Sequence, residues 1–487
     1  MAVIGVDLGT QSLKAIVVDD RFRLRGEAGV PYQPSFPQPG WAEQDPALWL
    51  AALRPAIRKA LEASKLKPRD IKGIAVSGQL DGCVPVDANG SVLSPCIIWM
   101  DRRAEAEVAG LDGGHMRERT GLVLDASHMA AKIRWMTRNL SETAACRTWH
   151  QPVSFVVERL CGEAVMDHAL ASTTMLYGLE ERDYADDLLD LFEVEPEKLP
   201  AIGEASSAAG TLSRAGAELT GLPAGITVAV GTGDDFTNAI GAGVVEPGTV
   251  SVSLGTGEVI GAVSDDLKLD GEGLLQTHGY VGGRYYLGNP GWLAGGSVTW
   301  FLSTFSVGTP AELSALAASA APGSSDLLFL PALNGAMAPR WIAGARGAFY
   351  GLTPAHGRAA CARALLEGCA FAMRDVVDRL EAMGVGAGRI RLCGGGAKSR
   401  IWAQIRADVS RRPVEVLNAA DTSPIGAAIL AAVAVGNAAS VAEAAAAVPR
   451  ILETIEPDAT RADLYDRCYR RYRMLFEALA PLYSEGA

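Results

Sequence analysis

Apolar residues fill Val3–Leu8, broken by Gly5 and Asp7, and again Leu13–Val18, with Gly9-Thr10-Gln11-Ser12 between them. Two short apolar runs around a glycine- and hydroxyl-rich turn predict a β-hairpin rather than the strand-to-helix turn of a dinucleotide site. The pattern returns in register at Thr249–Asp266. Leu254-Gly255-Thr256 falls on Leu8-Gly9-Thr10, and Asp265-Asp266 falls on Asp19-Asp20, at a constant spacing of 246 residues. An internal repeat of this kind implies two related domains, here 1–246 and 247–487.

The rest of the pattern alternates strands with helices. Asp45 and Pro46 form an N-cap and first-turn pair ahead of a helix through Leu61. A strand follows at Ile71–Ser77 and ends in Gly78-Gln79-Leu80-Asp81-Gly82; a later apolar run ends in Trp99-Met100-Asp101-Arg102-Arg103. The strand Ile226–Val230 leads into Gly231-Thr232-Gly233-Asp234-Asp235. Residues 360–383 carry apolar side chains at helical spacing, with Gly384 as the stop. The run Ile390–Cys393 leads into Gly394-Gly395-Gly396-Ala397-Lys398-Ser399 and a helix. Ser423 is the expected N-cap of a small-residue helix through Val435 that packs against this glycine turn, and two more helices cover 438–448 and 463–479. Polar groups collected at strand ends are site candidates, because ligands of open α/β sheets gather there.

Composition narrows the function. The 487 residues exceed one ordinary core and suit two or three domains. A net charge of −12, with no block of Lys or Arg, disfavours nucleic acid and favours a small-molecule substrate. No apolar run approaches the roughly 18 residues of a spanning helix, and no basic leader opens the chain, so no membrane is expected and the location is expected to be cytoplasmic. The eight cysteines and six histidines are scattered without metal-ligand spacing.

The hairpin turns carry the chemistry. Glycine lets the backbone approach closely and threonine adds a hydroxyl, so successive N–H groups can surround phosphate oxygens. Asp7 beside such a nest is electrostatically unfavourable unless Mg²⁺ lies between; Ser253 stands at the equivalent place in the second copy, so one domain manages metal. Ala397-Lys398-Ser399 ends like a P-loop, but Leu392 and Ala397 stand where that pattern needs glycine.

Together these motifs resemble the FGGY family of carbohydrate kinases over nearly the whole chain. They are Asp7-Leu-Gly-Thr10, Trp99-Met-Asp-Arg-Arg103, Gly231-Thr-Gly-Asp234, Leu254-Gly-Thr256 and Gly394-Gly-Gly-Ala397. The resemblance implies an α/β fold of two duplicated actin-like, ribonuclease-H-like domains with ATP and sugar in the cleft between them. It implies Asp234 as general base, Asp7 for Mg²⁺, and Thr10, Gln11, Ser12, Lys14, Gly255 and Thr256 around the phosphates. Gly395, Gly396, Ala397 and Ser399 are implied at the adenosine, and Gln79, Leu80, Asp81, Trp99, Asp101, Arg103 and Asp235 at the sugar. An N-cap is the competing role for Asp234, with Asp235 as the cap if Asp234 is the base. A surface ion pair competes for Asp101 and Arg103, and core filling, slightly favoured, for Trp99.

Within the family the chain most resembles the xylulokinases, in Trp41-Ala-Glu-Gln-Asp-Pro46, Gly78-Gln79 and Gly347-Ala-Phe-Tyr-Gly-Leu-Thr353. It departs from them at Leu80-Asp81 where they have Met-His, at Asp235 where they have Asn, and at Gly335-Ala-Met-Ala-Pro339 where they have Gly-Glu-Arg-x-Pro. The expected substrate is therefore a neutral sugar, D-xylulose by default, with ribulose, erythritol and glycerol as alternatives. An actin-like ATPase and a non-catalytic sugar sensor are the readings of other classes. Assembly stays open, a homodimer being one expectation.

Overall fold

The computed structural model describes residues 1–418, 421–448 and 450–484. Its first half is built on β1 (Ala2–Leu8), β2 (Ser12–Asp19), β3 (Leu24–Pro31), β4 (Ile71–Gly78), β5 (Ala208–Thr211), β6 (Thr227–Ala229) and β7 (Thr232–Gly233). They pair in the order β5-β6-β4-β1-β2-β3, with β7 continuing beside β4. β1 runs antiparallel to β2 and parallel to β4.

The second half repeats the scheme with β8 (Gly248–Leu254), β9 (Glu258–Ser264), β10 (Gln276–Gly279), β11 (Tyr285–Asn289), β12 (Ala387–Cys393), β13 (Val414–Leu417) and β14 (Ile451–Ile455), in the order β10-β11-β9-β8-β12-β13-β14. Here β8 is antiparallel to β9 and parallel to β12, so the repeated hairpin occupies the same place in both sheets. This is the duplicated architecture that the resemblance implies.

Helix α1 (Pro46–Ser64) starts as its sequence requires, Asp45 accepting the Ala47 N–H at 2.9 Å, and buries Trp49, Leu53, Ala56 and Ile57 against the first sheet. α2 (Met129–Asn139) and α3 (Pro152–Cys161) flank the Gly78–Gly82 loop, and α4 (Asp234–Gly241) ends the first half. The second half adds α5 (Ala294–Thr304), α6 (Arg358–Ala382), α7 (Arg400–Ser410), α8 (Ser423–Ala434), α9 (Val441–Ala447) and α10 (Ala462–Ser484). No helix among the described residues is long and apolar enough to cross a membrane.

Small residues in α8 do permit close packing, but against the other half of the molecule rather than against the glycine turn. A Cβ on Gly5 of β1 would collide with the Pro424 carbonyl and lie 2.7 Å from the Ala428 amide; one on Gly426 would strike the Thr237 carbonyl of α4. α4 and α8 thus lie together beneath the cleft, and one buried cluster draws Val3, Ala75 and Phe236 from the first half together with Val263, Tyr286 and Ala428 from the second. The physical reason is that both partners present backbone where a longer side chain would hold them apart. Gly5→Ala should therefore destabilise the whole chain by about 1–3 kcal/mol, read as a lower urea midpoint; an unchanged midpoint would show that the close approach is not needed.

Candidate active site

The parallel register sets the floor of the cleft. β1 pairs with β4 so that Asp7 faces Ser77 and Leu8 faces Gly78, and β7 pairs with β4 so that Thr232 faces Ser77. The ends of three strands thereby bring Asp7, Gln79 and the start of α4, with Asp234, to one edge.

Asp7 is 7% exposed and accepts the Ser423 hydroxyl at 2.7 Å. Ser423 Oγ lies 2.8 Å from Ser77 Oγ and 3.0 Å from Thr237 Oγ1, which lies 2.5 Å from Ser77 Oγ. This buried hydroxyl triad was not legible beforehand, and it corrects the role expected of Ser423. The residue is the first of α8, capped by Thr422 in position, and spends its hydroxyl on Asp7.

Burial, followed by the nearby Asp421, raises the Asp7 carboxyl to about 6. Burial, then Asp235 and Asp7, raises Asp234 well above the ordinary range. Burial and Asp81 raise Asp235 to about 6. Neither aspartate is the N-cap of α4, which is Gly233; they are its first two residues, and Asp234 accepts the Asp235 amide at 3.0 Å. Among these carboxylates Lys14 reaches Asp421 and so is not free for phosphate in this conformation.

The Gly9-Thr10 turn is fastened from three sides. Tyr32 donates its hydroxyl to the Gly9 carbonyl at 2.7 Å, Gln44 donates to the Thr10 carbonyl at 2.6 Å, and the Trp99 indole N–H donates to Thr10 Oγ1 at 3.1 Å. Trp99 is 46% exposed and therefore no core residue; it ties its own loop to the turn. Gln11 is exposed and Ser12 half-buried at the start of β2.

In the second half, Ser253 of β8 pairs with Cys393 of β12, which sets the Gly255-Thr256 turn beside the Gly394–Ser399 turn. Gly394 has φ 88°, and a Cβ there would strike the Leu254 carbonyl. Gly395 is open, with nothing near where a Cβ would stand, and Gly396 is half-buried. Ala397 is buried, and Ser399 is committed to Ser314 at 2.8 Å and to the Trp402 amide of α7, so neither side chain is free for a nucleotide. Two unforeseen features hold this turn. Gly296 near the start of α5 donates to the Thr256 carbonyl at 2.9 Å, and Glu258, next in the chain after Gly257, forms a fully buried bidentate pair with Arg406 at 2.6 and 2.8 Å.

Just past the end of β4, Asp81 holds φ 61°, a costly conformation for a non-glycine residue. It is fixed by its amide donating to Gln151 at 2.9 Å, by Lys132 donating to its carbonyl at 2.6 Å, and by His128 3.3 Å from its carboxylate. His278 of β10 faces the same group; burial lowers its imidazole to about 4, and its Nδ1 has no partner. Gln79 donates to Gln44 at 2.6 Å and leaves a buried Oε1 unpartnered, while Leu80 packs against Gly233. Asp101 and Arg103 do not form a surface pair: their side chains are 1% and 4% exposed. Asp101 accepts Arg103 at 2.7–2.9 Å and the Ala42 amide at 2.6 Å, while Arg103 also bonds Glu43 at 2.8 Å and stacks 3.6 Å over Trp41. Both are thus spent on each other.

Residues 2–241 match the N-terminal domain of the FGGY family of carbohydrate kinases, and residues 250–435 its C-terminal domain. The chain belongs to this family. It is 30% identical to xylulose kinase from Escherichia coli K12, covering 98% of this chain and 99% of that one, and 32% identical to glycerol kinase from Thermococcus kodakarensis, covering 95% of each. The crystal structure of xylulose kinase from Rhodospirillum rubrum superposes with a TM-score of 0.91 at 32% identity, over 99% of this chain and all of that one. This FGGY protein is an ATP-dependent sugar kinase with the actin-like fold, so the readings as a protein-moving ATPase and as a sugar sensor fall away.

A buried carboxylate with a raised pKa binds its proton more tightly folded than unfolded, so it lowers stability progressively as pH rises from about 3.8 to about 6. Asp7→Asn, which can still accept from Ser423, should melt about 2 °C or more above the wild type at pH 7.5 without ligand. That gap should shrink as pH falls through 6 towards 4; a gap independent of pH would refute the charge argument.

Proposed function

We propose that this kinase transfers the γ-phosphoryl group of ATP to a hydroxyl of a neutral polyhydroxylated substrate, D-xylulose first among them, giving D-xylulose 5-phosphate. The observation that carries this reading is the position of Asp234. It is half-buried in the first turn of α4, in the electrostatic field of Asp235 and Asp7.

In this reading Asp234 accepts the proton of the attacking hydroxyl, and its raised proton affinity makes it a stronger base once ionised. Phosphoryl transfer otherwise needs in-line positioning and charge neutralisation. Thr10, Gln11 and Ser12 from the first turn and Gly255 and Thr256 from the second would face the phosphates. The Gly395 and Gly396 backbone would admit adenosine; Ala397 and Ser399 shape that turn. Lys14 would have to leave Asp421 to reach a phosphate.

Mg²⁺ suits the floor. Burial and Asp421 raise the pKa of Asp7, burial, Asp235 and Asp7 raise that of Asp234, and Lys14 pairs with Asp421 as counterion. Among the described residues no cluster of three or more ligating side chains could hold a metal unaided, which fits an ion carried mainly by water and phosphate oxygens with Asp7 as anchor. When bound, the ion would neutralise the phosphate charge.

For the sugar, Asp81, Asp235 and the unpartnered Gln79 Oε1 and His278 Nδ1 offer hydrogen-bonding positions for hydroxyl groups, and a third carboxylate disfavours acidic or phosphorylated substrates. Asp101 and Arg103 act as a brace for the Trp99 loop. D-Xylulose comes first because relatives and solved structures bearing that activity align end to end. Glycerol or another short polyol is the second reading, favoured by Asp81 standing where xylulokinases have histidine and by the glycerol kinase relative at 32% identity.

A coupled ADP-release assay across D-xylulose, D-ribulose, erythritol and glycerol decides between them; kcat/KM should be highest with D-xylulose, and a higher value for another acceptor would replace it. Asp234→Asn should lose about 10²–10⁴-fold in kcat with its melting temperature retained, and normal turnover would remove Asp234 from the role of base. In the wild type, kcat/KM should fall on the acid side with a limb above the ordinary carboxylate range, because protonated Asp234 cannot accept the proton. Asp81→Asn should raise KM for the sugar about tenfold and leave KM for ATP unchanged; equal changes in both would mean that Asp81 acts on the fold and not on the sugar.

A further inference from the structure

α4 has two ends, and the proposed base occupies one of them. At the other, about 12 Å along the helix axis, lies a cavity of 570 Å³ bounded by Gly243, the 245–247 link, Thr249, Arg391, one face of α9 and Arg450. That volume falls within the range of small-molecule sites, about 300–1,000 Å³.

Two guanidinium groups meet there. Arg391 Nη1 donates to the Ala242 and Gly243 carbonyls just past the end of α4, at 3.0 and 2.8 Å, and its Nε donates to Glu415 at 2.8 Å. Arg450 lies beside it, and a Cβ on Gly243 would touch both groups. Gly243 has φ 76°, so the crossing of the link over the two arginines suits glycine.

Arg450 is poorly compensated. It donates Nη2 to the Ala445 carbonyl, but its buried Nε has no partner, and no described acidic side chain forms an ion pair with it. Glu415 lies in its field but is committed to Arg389 and Arg391. Burial and the adjacent Arg391 lower its guanidinium to about 10. Glu246 at the cavity mouth is mostly exposed, 3.9 Å from Arg284. Two adjacent guanidinium forks, one with a free buried donor, complement a phosphate group.

We propose that this cavity is an effector site for a small phosphorylated metabolite, bound by Arg391 and Arg450, and that its occupancy acts on the helix that begins with Asp234. The site lies outside the cleft and is independent of which sugar is phosphorylated. A bound phosphate would draw Arg450 and Arg391 together over Gly243, and Arg391 holds the carbonyls that end α4. Binding therefore biases the helix that sets the base against the sugar.

The test is calorimetric titration of the full chain with inorganic phosphate and with glycerol 3-phosphate, the cleft being saturated with a non-hydrolysable ATP analogue. One site per chain is expected, weakened at least about tenfold in Arg450→Gln. Ala446→Glu, which places a carboxylate on the exposed cavity wall, should weaken binding similarly and carries the test if Arg450→Gln does not fold. Both variants should still bind the ATP analogue, and the ester should change wild-type kcat/KM but not that of either variant. Tighter binding of the ester supports a metabolite, and equal binding supports free phosphate as the occupant. No binding up to about 10 mM, or equal binding by wild type and both variants, overturns the proposal, as does binding that leaves kcat/KM unchanged for its action on α4.

Discussion

The Pro424 carbonyl resting on Gly5 is the contact on which the rest of the molecule depends. Because β1 has no side chain at that point, the start of α8 descends onto the first sheet and delivers Ser423 to Asp7. Three hydroxyl groups, from Ser77, Thr237 and Ser423, then close a network among β4, α4 and α8. A chain segment from the second half is thereby built into the floor beneath the first half's carboxylates. The two sheets keep their own cores, but the cleft between them has a shared foundation.

Upon that foundation charge is distributed unevenly. Burial and like charge raise the proton affinity of Asp7, Asp234 and Asp235, so ionising them costs stability, which cationic partners relieve. Elsewhere buried charge is paired, in the Arg406–Glu258 pair beside the Gly255-Thr256 turn and the Arg103–Asp101 pair stacked on Trp41. The far end of α4 shows the opposite imbalance, two guanidinium groups with too few anions. One short helix thus spans an excess of carboxylate at one end and an excess of cation at the other.

Much of the fold was legible in the chain. The Leu-Gly-Thr repeat, the Asp45-Pro46 helix start, the long helix ending at Gly384 and the strand ahead of Gly394 all appear within a few residues of expectation, because each rests on local periodicity or turn chemistry. The misreadings share a cause. Ser423, expected as a cap, and Asp101 and Arg103, weighed as a surface pair, are polar residues at element ends, where sequence cannot separate an exposed group from one already satisfied by a buried neighbour. Core filling by Trp99 fails for the same reason, its indole N–H meeting a threonine 89 residues away. His128, Lys132, Gln151 and His278 carry no local signal at all, since their common feature is convergence on Asp81 from three separate elements.

The sequence by itself determined the duplication, the hairpin turns, the order of strands and helices and the positions of Asp7 and Asp234, because short-range pattern is enough to specify each of them. Tertiary structure decided which of the polar candidates remain free. It alone joined α8 to the opposite sheet, buried the Asp101–Arg103 brace, fixed Asp81 in a strained backbone conformation and brought Arg450 beside Arg391. Those outcomes depend on contacts between residues tens to hundreds of positions apart, and a hydrogen bond or a shared electric field acts through space without leaving a period in the chain.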